Sequence, residues 1–173
     1  MRNVVRAYDA RWPALFEAEA GALRAVFGET LAGLHQIGST AVPGLLAKPV
    51  IDMVGEARRL ADVDARAPAM EARGYAARGE YGIAGRRYFS KPAATPDGVG
   101  FHVHVFALGS PQIARHIRFR DYLIAHPKAA RDYAALKASL CDADGVLVAD
   151  YQDRKAPLIA RIDQLAAAAK VSD

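Results

Sequence analysis

The sequence predicts an α+β fold in which a mixed β-sheet is flanked by helices and the C-terminal third is helical. Short apolar segments separated by Gly and Pro fill the middle of the chain, which is typical of β-strands. Apolar residues at helical spacing dominate residues 14–27 and the last third of the chain. Strands grouped in the middle and helices grouped at the end favour a sheet domain with a helical C-terminal part.

Local signals place each element in turn. Pro13 suits the first turn of a helix, and Gly28 suits its end. Gly74 ends a second helical pattern, and Pro127 ends a third. The predicted helices are 14–27, 60–73, 110–125, 128–143 and 151–169, and the predicted strands are 31–37, 50–54, 83–91 and 101–108.

Composition narrows the class of protein. The length of 173 residues fits a single domain spanning 1–173. The net charge is +4 and the basic residues are scattered, so no nucleic-acid-binding arm is expected. Cys141 is the only cysteine, which excludes an intrachain disulfide and suits a reducing compartment. Because no apolar leader and no run of about 18 apolar residues is present, we expect a cytoplasmic protein without a membrane partner.

Asp52 is the residue that points most clearly to function. It interrupts the apolar strand 50–54, where burying a carboxylate without a partner is unfavourable. Such a group is expected at a strand end that faces a cleft, where it holds a metal or a proton. The alternative is a structural Asp52 that accepts hydrogen bonds from loop amides.

Gly38-Ser39-Thr40 follows the predicted strand 31–37 and could hold a phosphate. Glycine lets a ligand approach the backbone, and successive N–H groups with two hydroxyls can cradle an anion. Gly-Ser pairs are equally common in ordinary turns, so the tripeptide alone does not separate the two interpretations.

The spacing from this loop to Asp52 resembles a pattern of the nucleotidyltransferase superfamily. That pattern is an apolar residue and Gly-Ser, a short segment, then Asp, an apolar residue and a second acid; the corresponding residues here are Ile37-Gly38-Ser39 and Asp52-Met53-Val54. The resemblance implies a loop that holds a triphosphate, and acids that bind two magnesium ions and activate an acceptor hydroxyl. Val54 stands at the second acid position and cannot bind a metal, so the resemblance supports the fold more strongly than catalysis.

Longer matches resemble the signature of the GrpB family, a group within that superfamily. The main match runs from His35 to Leu45 and from Ala47 to Asp52. Shorter matches are Gly79-Glu80, Gly82-Ile83, Gly85 to Phe89, His102 to Val105, Phe119 to Leu123, His126-Pro127, Tyr151 and Lys155. The resemblance covers nearly the whole chain and predicts a GrpB-like nucleotidyltransferase fold.

His102 and His104 are two residues apart on a predicted strand, so their side chains share one face. If that strand lies beside the Asp52 strand, the three side chains would form a mixed nitrogen and oxygen set, better suited to Zn, Mn or Fe than to Mg alone. An acid–base or phosphate-facing role and a purely structural role are the alternatives. Glu80 could supply the missing acid, although its Gly-rich turn equally suits an exposed residue.

Four basic residues are candidate phosphate ligands: Lys48, Arg86, Arg87 and Lys155. Only one of the adjacent Arg86 and Arg87 can face a given side of a strand, and the guanidinium group matches phosphate oxygens well. Lys155 shares a helix face with Tyr151. Surface ion pairs or a solvated face are the alternatives for each.

Three functional hypotheses follow. The first is a nucleotidyltransferase that moves a nucleoside monophosphate from an NTP to a hydroxyl, with phosphates at Gly38–Thr40 and a divalent metal (Mg, Mn or Zn) at Asp52, His102 and His104. The second is a non-catalytic module that binds a nucleotide or another small phosphorylated ligand. The third is a metal-dependent hydrolase that uses the same carboxylate and two histidines.

Overall fold

The computed structural model describes residues 4–142 and 144–169. In chain order its helices and strands are α1 Trp12–Phe27, β1 Leu31–Ile37, β2 Val50–Ala57, α2 Leu60–Asp64, α3 Ala67–Glu71, β3 Ala76–Ala77, β4 Arg87–Lys91, β5 Gly100–Ala107, α4 Pro111–Ala125, α5 Pro127–Ser139 and α6 Tyr151–Ala169. Short 3-10 turns at Gly28–Thr30 and Ser39–Ala41 flank β1. No helix in these described ranges combines the length and apolar character needed to cross a bilayer.

The strands form one five-stranded mixed sheet in the order β1-β2-β5-β4-β3. The central pair, β2 and β5, is parallel, and the other neighbouring strands are antiparallel. Ile51 and Met53 of β2 are fully buried, as expected for an internal strand. The mixed sheet and the helical C-terminal region confirm the predicted fold class.

Each face of the sheet is covered by a different set of helices. On one face, α1 packs with Phe27 against Met53 and Val103. On the opposite face, Val54 and Phe106 pack against Ile113 of α4. The helices α4, α5 and α6 also meet the loop after β1 in a third apolar cluster, formed by Val42, Leu45, Leu123, Tyr133 and Ile162. This cluster fixes the Gly-Ser loop against the C-terminal helices.

Two predicted elements differ from the structure because proline or glycine residues interrupt them. The helix predicted over 60–73 is divided into α2 and α3, since Pro68 lies in the first turn of α3 and cannot continue an α-helix from α2. The strand predicted over 83–91 begins only at Arg87, because Gly82 and Gly85 have positive φ angles and form a turn.

The helix predicted over 128–143 ends at Ser139. After it, the carboxylate of Asp142 accepts hydrogen bonds from the backbone N–H groups of Asp144 and Val146, both at 2.9 Å. This local bonding favours a turn over a further helical turn.

Candidate functional site

The register of the two central strands brings the predicted acid and the two histidines together. Asp52 is the parallel partner of His102, and Val54 is the partner of His104. Because side chains alternate along a strand, Asp52, His102 and His104 lie on the same face of the sheet. Asp52 Oδ1 is 3.1 Å from His102 Nδ1 and 3.8 Å from His104 Nε2.

Asp52 is a carboxylate held between imidazoles. Burial raises its pKa, but the hydrogen bonds from His102 and His104 hold the pKa well below its usual range. A carboxylate can only accept hydrogen bonds, so His102 Nδ1 is the donor in the shorter contact.

Arg86 fixes the ring of the second histidine. Its Nη1 lies 3.3 Å from His104 Nδ1, and its other donors reach the carbonyls of Glu80 (3.1 Å) and Tyr81 (2.7 Å). A guanidinium group only donates, so Nδ1 of His104 is the acceptor and the Nε2 side faces Asp52. Arg86 therefore reaches Asp52 through His104 rather than directly.

Gly38 positions the Gly-Ser loop against the carboxylate. Its φ is 72°, in the left-handed region that favours glycine. A Cβ on Gly38 would lie 2.8 Å from Asp52 Oδ2. The loop and Asp52 can therefore be this close only because residue 38 has no side chain.

A buried lysine that the sequence interpretation missed contacts the same loop. Lys137 of α5 is 2% exposed, and its Nζ donates a hydrogen bond of 2.8 Å to Ser39 Oγ. Its ammonium group also lies 4.7 Å from the ring centre of Tyr133. Lys137 lies on the helix face that carries Tyr133 and Leu140, so a lysine on an apolar face was the available signal.

Three lysines surround this end of the site. The Nζ atoms of Lys48 and Lys155 lie 5.5 Å and 4.8 Å from the ring centre of Tyr151. Within the described residues, none of Lys48, Lys137 and Lys155 forms an ion pair with a carboxylate. Burial lowers the pKa of all three, and burial with the charge of Lys155 lowers the pKa of Lys137 to about 7.

These groups line one cleft of about 220 Å³. Its wall contains Ser39, Thr40, Lys48, Asp52, His102, Lys137, Tyr151 and Lys155. Thr40 is 1% exposed, and its Oγ1 has no hydrogen-bond partner, which is unusual for a buried hydroxyl. A larger groove of about 600 Å³ between α4 and α6 is mostly apolar, so the smaller cleft is the one that holds the reactive groups together.

The residues present do not fit the two-magnesium site that the superfamily pattern implies. Val54, at the second acid position, is fully buried in the apolar cluster with Ile37 and Phe106. Among the described residues, no group of three or more His, Cys, Asp or Glu side chains is arranged to hold a metal ion. The nitrogens of His102 and His104 nearest Asp52 both approach the same carboxylate oxygen, Oδ1. Magnesium prefers several oxygen ligands, and Asp52 supplies the only carboxylate among the described residues of the cleft wall.

Not every predicted phosphate ligand reaches the cleft. Arg87 pairs with Val105 in the β4–β5 ladder and therefore points to the other face, where it forms an ion pair with Asp64 (Nη2–Oδ2 2.9 Å). Arg86 lies on the site side but binds His104 and loop carbonyls. The carboxylate of Glu80 accepts a 2.7 Å hydrogen bond from the N–H of Gly85 within its own turn.

His116 of α4 lies close to the second histidine of the site. Its ring centre is 5.9 Å from that of His104, and the residue is half-buried. Burial lowers the pKa of His116 to about 4, so its imidazole is neutral at pH 7.

The chain is similar to known proteins of one family. The profile of the family described as "GrpB protein" matches residues 3–165. The chain is 45% identical over 133 residues to the UPF0157 protein YqkA of Bacillus subtilis, a match covering 77% of this chain and 38% of that protein. It is 35% identical over 155 residues to the UPF0157 protein BH1888 of Halalkalibacterium halodurans, covering 90% of this chain and 77% of that protein.

Solved structures agree with this assignment. The crystal structure of conserved protein GrpB from Enterococcus faecalis superposes with a TM-score of 0.86 at 35% identity, covering 94% of this chain and 96% of that one. A structure of the Cid1 poly(U) polymerase with MgGTP bound gives a TM-score of 0.55 at 13% identity, covering 78% of this chain and 45% of that one. The second likeness concerns the fold alone. The chain therefore has a nucleotidyltransferase-like fold and belongs to the GrpB family.

Proposed function

We propose that the cleft binds the phosphate chain of a nucleotide or another small phosphorylated ligand, and that lysines rather than bridging metal ions neutralise it. The observation that carries the proposal is the excess of positive charge in the cleft wall. Lys48, Lys137 and Lys155 face one carboxylate, that of Asp52. Its Oδ1 atom already accepts a hydrogen bond from His102.

Burial makes this excess unfavourable without a ligand. An ammonium group removed from water without a counter-charge raises the free energy of the folded state. The lowered pKa values of the three lysines express the same penalty. A bound polyanion would supply the missing negative charge and form charge-assisted hydrogen bonds with the ammonium groups.

The Gly-Ser loop supplies the neutral part of the proposed site. The hydroxyl of Ser39 is held by Lys137, and the hydroxyl of Thr40 lacks a protein partner and can donate to a phosphate oxygen. A nucleotide is the preferred ligand because Cid1, a protein of the same fold, carries MgGTP in its solved structure.

The donor set favours binding over nucleotidyl transfer. Transfer by two bridging metals needs several carboxylates, and Val54 replaces one of them inside an apolar cluster. The lysines can neutralise the charge of a phosphate chain. Among the described residues of the cleft wall, however, no second acid accompanies Asp52 to hold a metal ion that would activate an acceptor hydroxyl.

The test is a thermal-shift titration with tripolyphosphate and with ATP, GTP, CTP and UTP, each in EDTA and in magnesium. A ligand that binds only the folded state raises the free energy of unfolding by RT ln(1 + [L]/Kd), and the unfolding temperature rises with it. We expect stabilisation of the wild type in EDTA and its loss in Lys137→Met. Lys128→Met, on the exposed side of the same helix, is the matched control and should behave like the wild type.

Two results would change the conclusion. If none of the five ligands stabilises the wild type under either condition, the proposed function is wrong. If NTPs release pyrophosphate in the presence of the protein and Asp52→Asn abolishes the release, the protein is a transferase rather than a binding module.

A further inference from the structure

A row of rings leads from the cleft to an exposed loop. The ring centre of Tyr88 lies 5.5 Å from that of His102, which lines the cleft, and 5.0 Å from that of His104. Tyr81 stacks on Tyr88 with ring centres 5.3 Å apart and an interplanar angle of 30°. The row therefore continues the site from β5 across β4 and into the turn before β4.

The end of this row is unusually open for a large aromatic side chain. Tyr81 is 69% exposed, the highest value among the exposed large hydrophobic residues of the described chain. An exposed ring gains little from burial, so core packing does not account for its position. Its outer face is available to a ligand.

The backbone of Tyr81 is also strained. Its φ is 44°, and it is the only residue other than glycine with a positive φ in the described ranges. L-residues disfavour this region, and a bulky side chain there persists only where the surroundings hold it. Arg86 provides the hold, since its guanidinium binds the carbonyls of Tyr81 and of Glu80.

Arg86 connects this loop to the cleft. The same guanidinium contacts His104 Nδ1 and lies 4.9 Å from the ring centre of Tyr88. One buried side chain thus fixes the Tyr81 turn, the Tyr88 ring and the imidazole beside Asp52 in a single arrangement.

We infer that Tyr81 and Tyr88 form an aromatic platform that binds a planar aromatic ring by stacking. The sheet order places the Ser39 loop beside β2, Asp52 on β2, His102 on β5 and Tyr88 on β4. The platform and the lysines thus lie on opposite sides of Asp52. The inference rests on the proposed function in that the ring belongs either to the phosphorylated ligand or to a second ligand bound with it.

Isothermal titration in EDTA tests the platform, with tripolyphosphate, the four ribonucleoside triphosphates, and the four nucleosides with and without tripolyphosphate as probes. Loss of base stacking weakens binding on the order of tenfold. We expect Tyr81→Gly to weaken the binding of the ring-bearing probes by this factor and to leave the binding of tripolyphosphate unchanged. Glycine also relieves the positive φ, so the variant should fold. Tyr81→Phe should retain binding, and Ile83→Ala, in the same turn, should match the wild type.

The probes separate the two sources of the ring and the two claims. If triphosphates lose affinity in Tyr81→Gly, the ring belongs to the phosphorylated ligand. If Tyr81→Gly weakens only the binding of nucleosides added with tripolyphosphate, the ring belongs to a second ligand. Unchanged affinity for every probe, or no binding of any ring-bearing probe, overturns the platform. Failure of tripolyphosphate and of every triphosphate to bind overturns the proposed function, while nucleoside binding that depends on Tyr81 would still support the platform.

Discussion

Gly38 lies against Asp52 with no space for a side chain between them. A Cβ at residue 38 would stand 2.8 Å from Oδ2 and 3.2 Å from Cβ of Asp52. The contact ties the end of β1 to the carboxylate on β2, so the position of the loop and the position of the acid depend on each other.

We expect Gly38→Ala to destabilise the protein more than Gly44→Ala. Both glycines have a positive φ, at 72° and 77°, but a Cβ on Gly44 would meet nothing within 4 Å. Gly44→Ala should therefore lower the free energy of unfolding by about 1–2 kcal/mol from backbone strain, and Gly38→Ala by a larger amount. Urea denaturation measures both. In a protein that already carries Asp52→Ala, Gly38→Ala should lower the free energy of unfolding by less than it does in the wild type. If the two losses are equal, the contact with Asp52 is not the cause.

The lowered pKa of Lys137 predicts that stability rises with pH above neutrality. In the unfolded state the lysine has its ordinary pKa of about 10.5 and binds a proton that it releases in the folded state, where its pKa is about 7. The unfolded state thus holds more protons between these values, and the free energy of unfolding rises there by up to about 1.4 kcal/mol per pH unit. Lys48 and Lys155 act in the same direction.

Urea denaturation between pH 7 and pH 9.5 checks this linkage. Lys137→Met removes the largest contribution, so its stability should vary less with pH than that of the wild type. An equal pH dependence in the two proteins would show that Lys137 is already charged and compensated in the folded state.

Thr40→Val should separate binding from stability. The variant removes a buried hydroxyl that has no partner, so the free energy of unfolding without ligand should stay the same or rise slightly. The same change should weaken tripolyphosphate binding, because the hydroxyl no longer donates to the ligand. Thr40→Ser retains the hydroxyl and is the control. A loss of stability of more than about 1 kcal/mol in Thr40→Val would mean that the hydroxyl has a structural partner.

Restoring an acid at position 54 should damage the fold rather than create a metal site. Val54 is fully buried with Ile37, Phe106 and Ile113, and a carboxylate there would be removed from water beside apolar side chains. We expect Val54→Asp to lower the free energy of unfolding by about 3 kcal/mol or more, clearly beyond the effect of Val54→Ala. A stable Val54→Asp protein that binds magnesium would show that the cluster accommodates the second acid.

The sequence was sufficient to predict the sheet, the loop and the face shared by His102 and His104, because these follow from strand periodicity and short-range spacing. Whether Asp52 lies on the same face depended on β2 and β5 being neighbours, which spacing along the chain does not determine. It did not reveal Lys137, whose proximity to Ser39 depends on how α5 packs on a loop 98 residues away in the chain. The side taken by Arg86 and Arg87 depends on where β4 begins, and positive φ angles in the preceding turn delay that start.

The most direct test of the account is the affinity of Asp52→Asn for tripolyphosphate in EDTA, measured by isothermal titration at low ionic strength. If lysines alone neutralise the phosphates, Asp52 only repels the ligand, and removing its charge should tighten binding roughly threefold or more. If the wild type binds tripolyphosphate only with magnesium and Asp52→Asn abolishes that binding, Asp52 holds a bridging metal and the account is wrong.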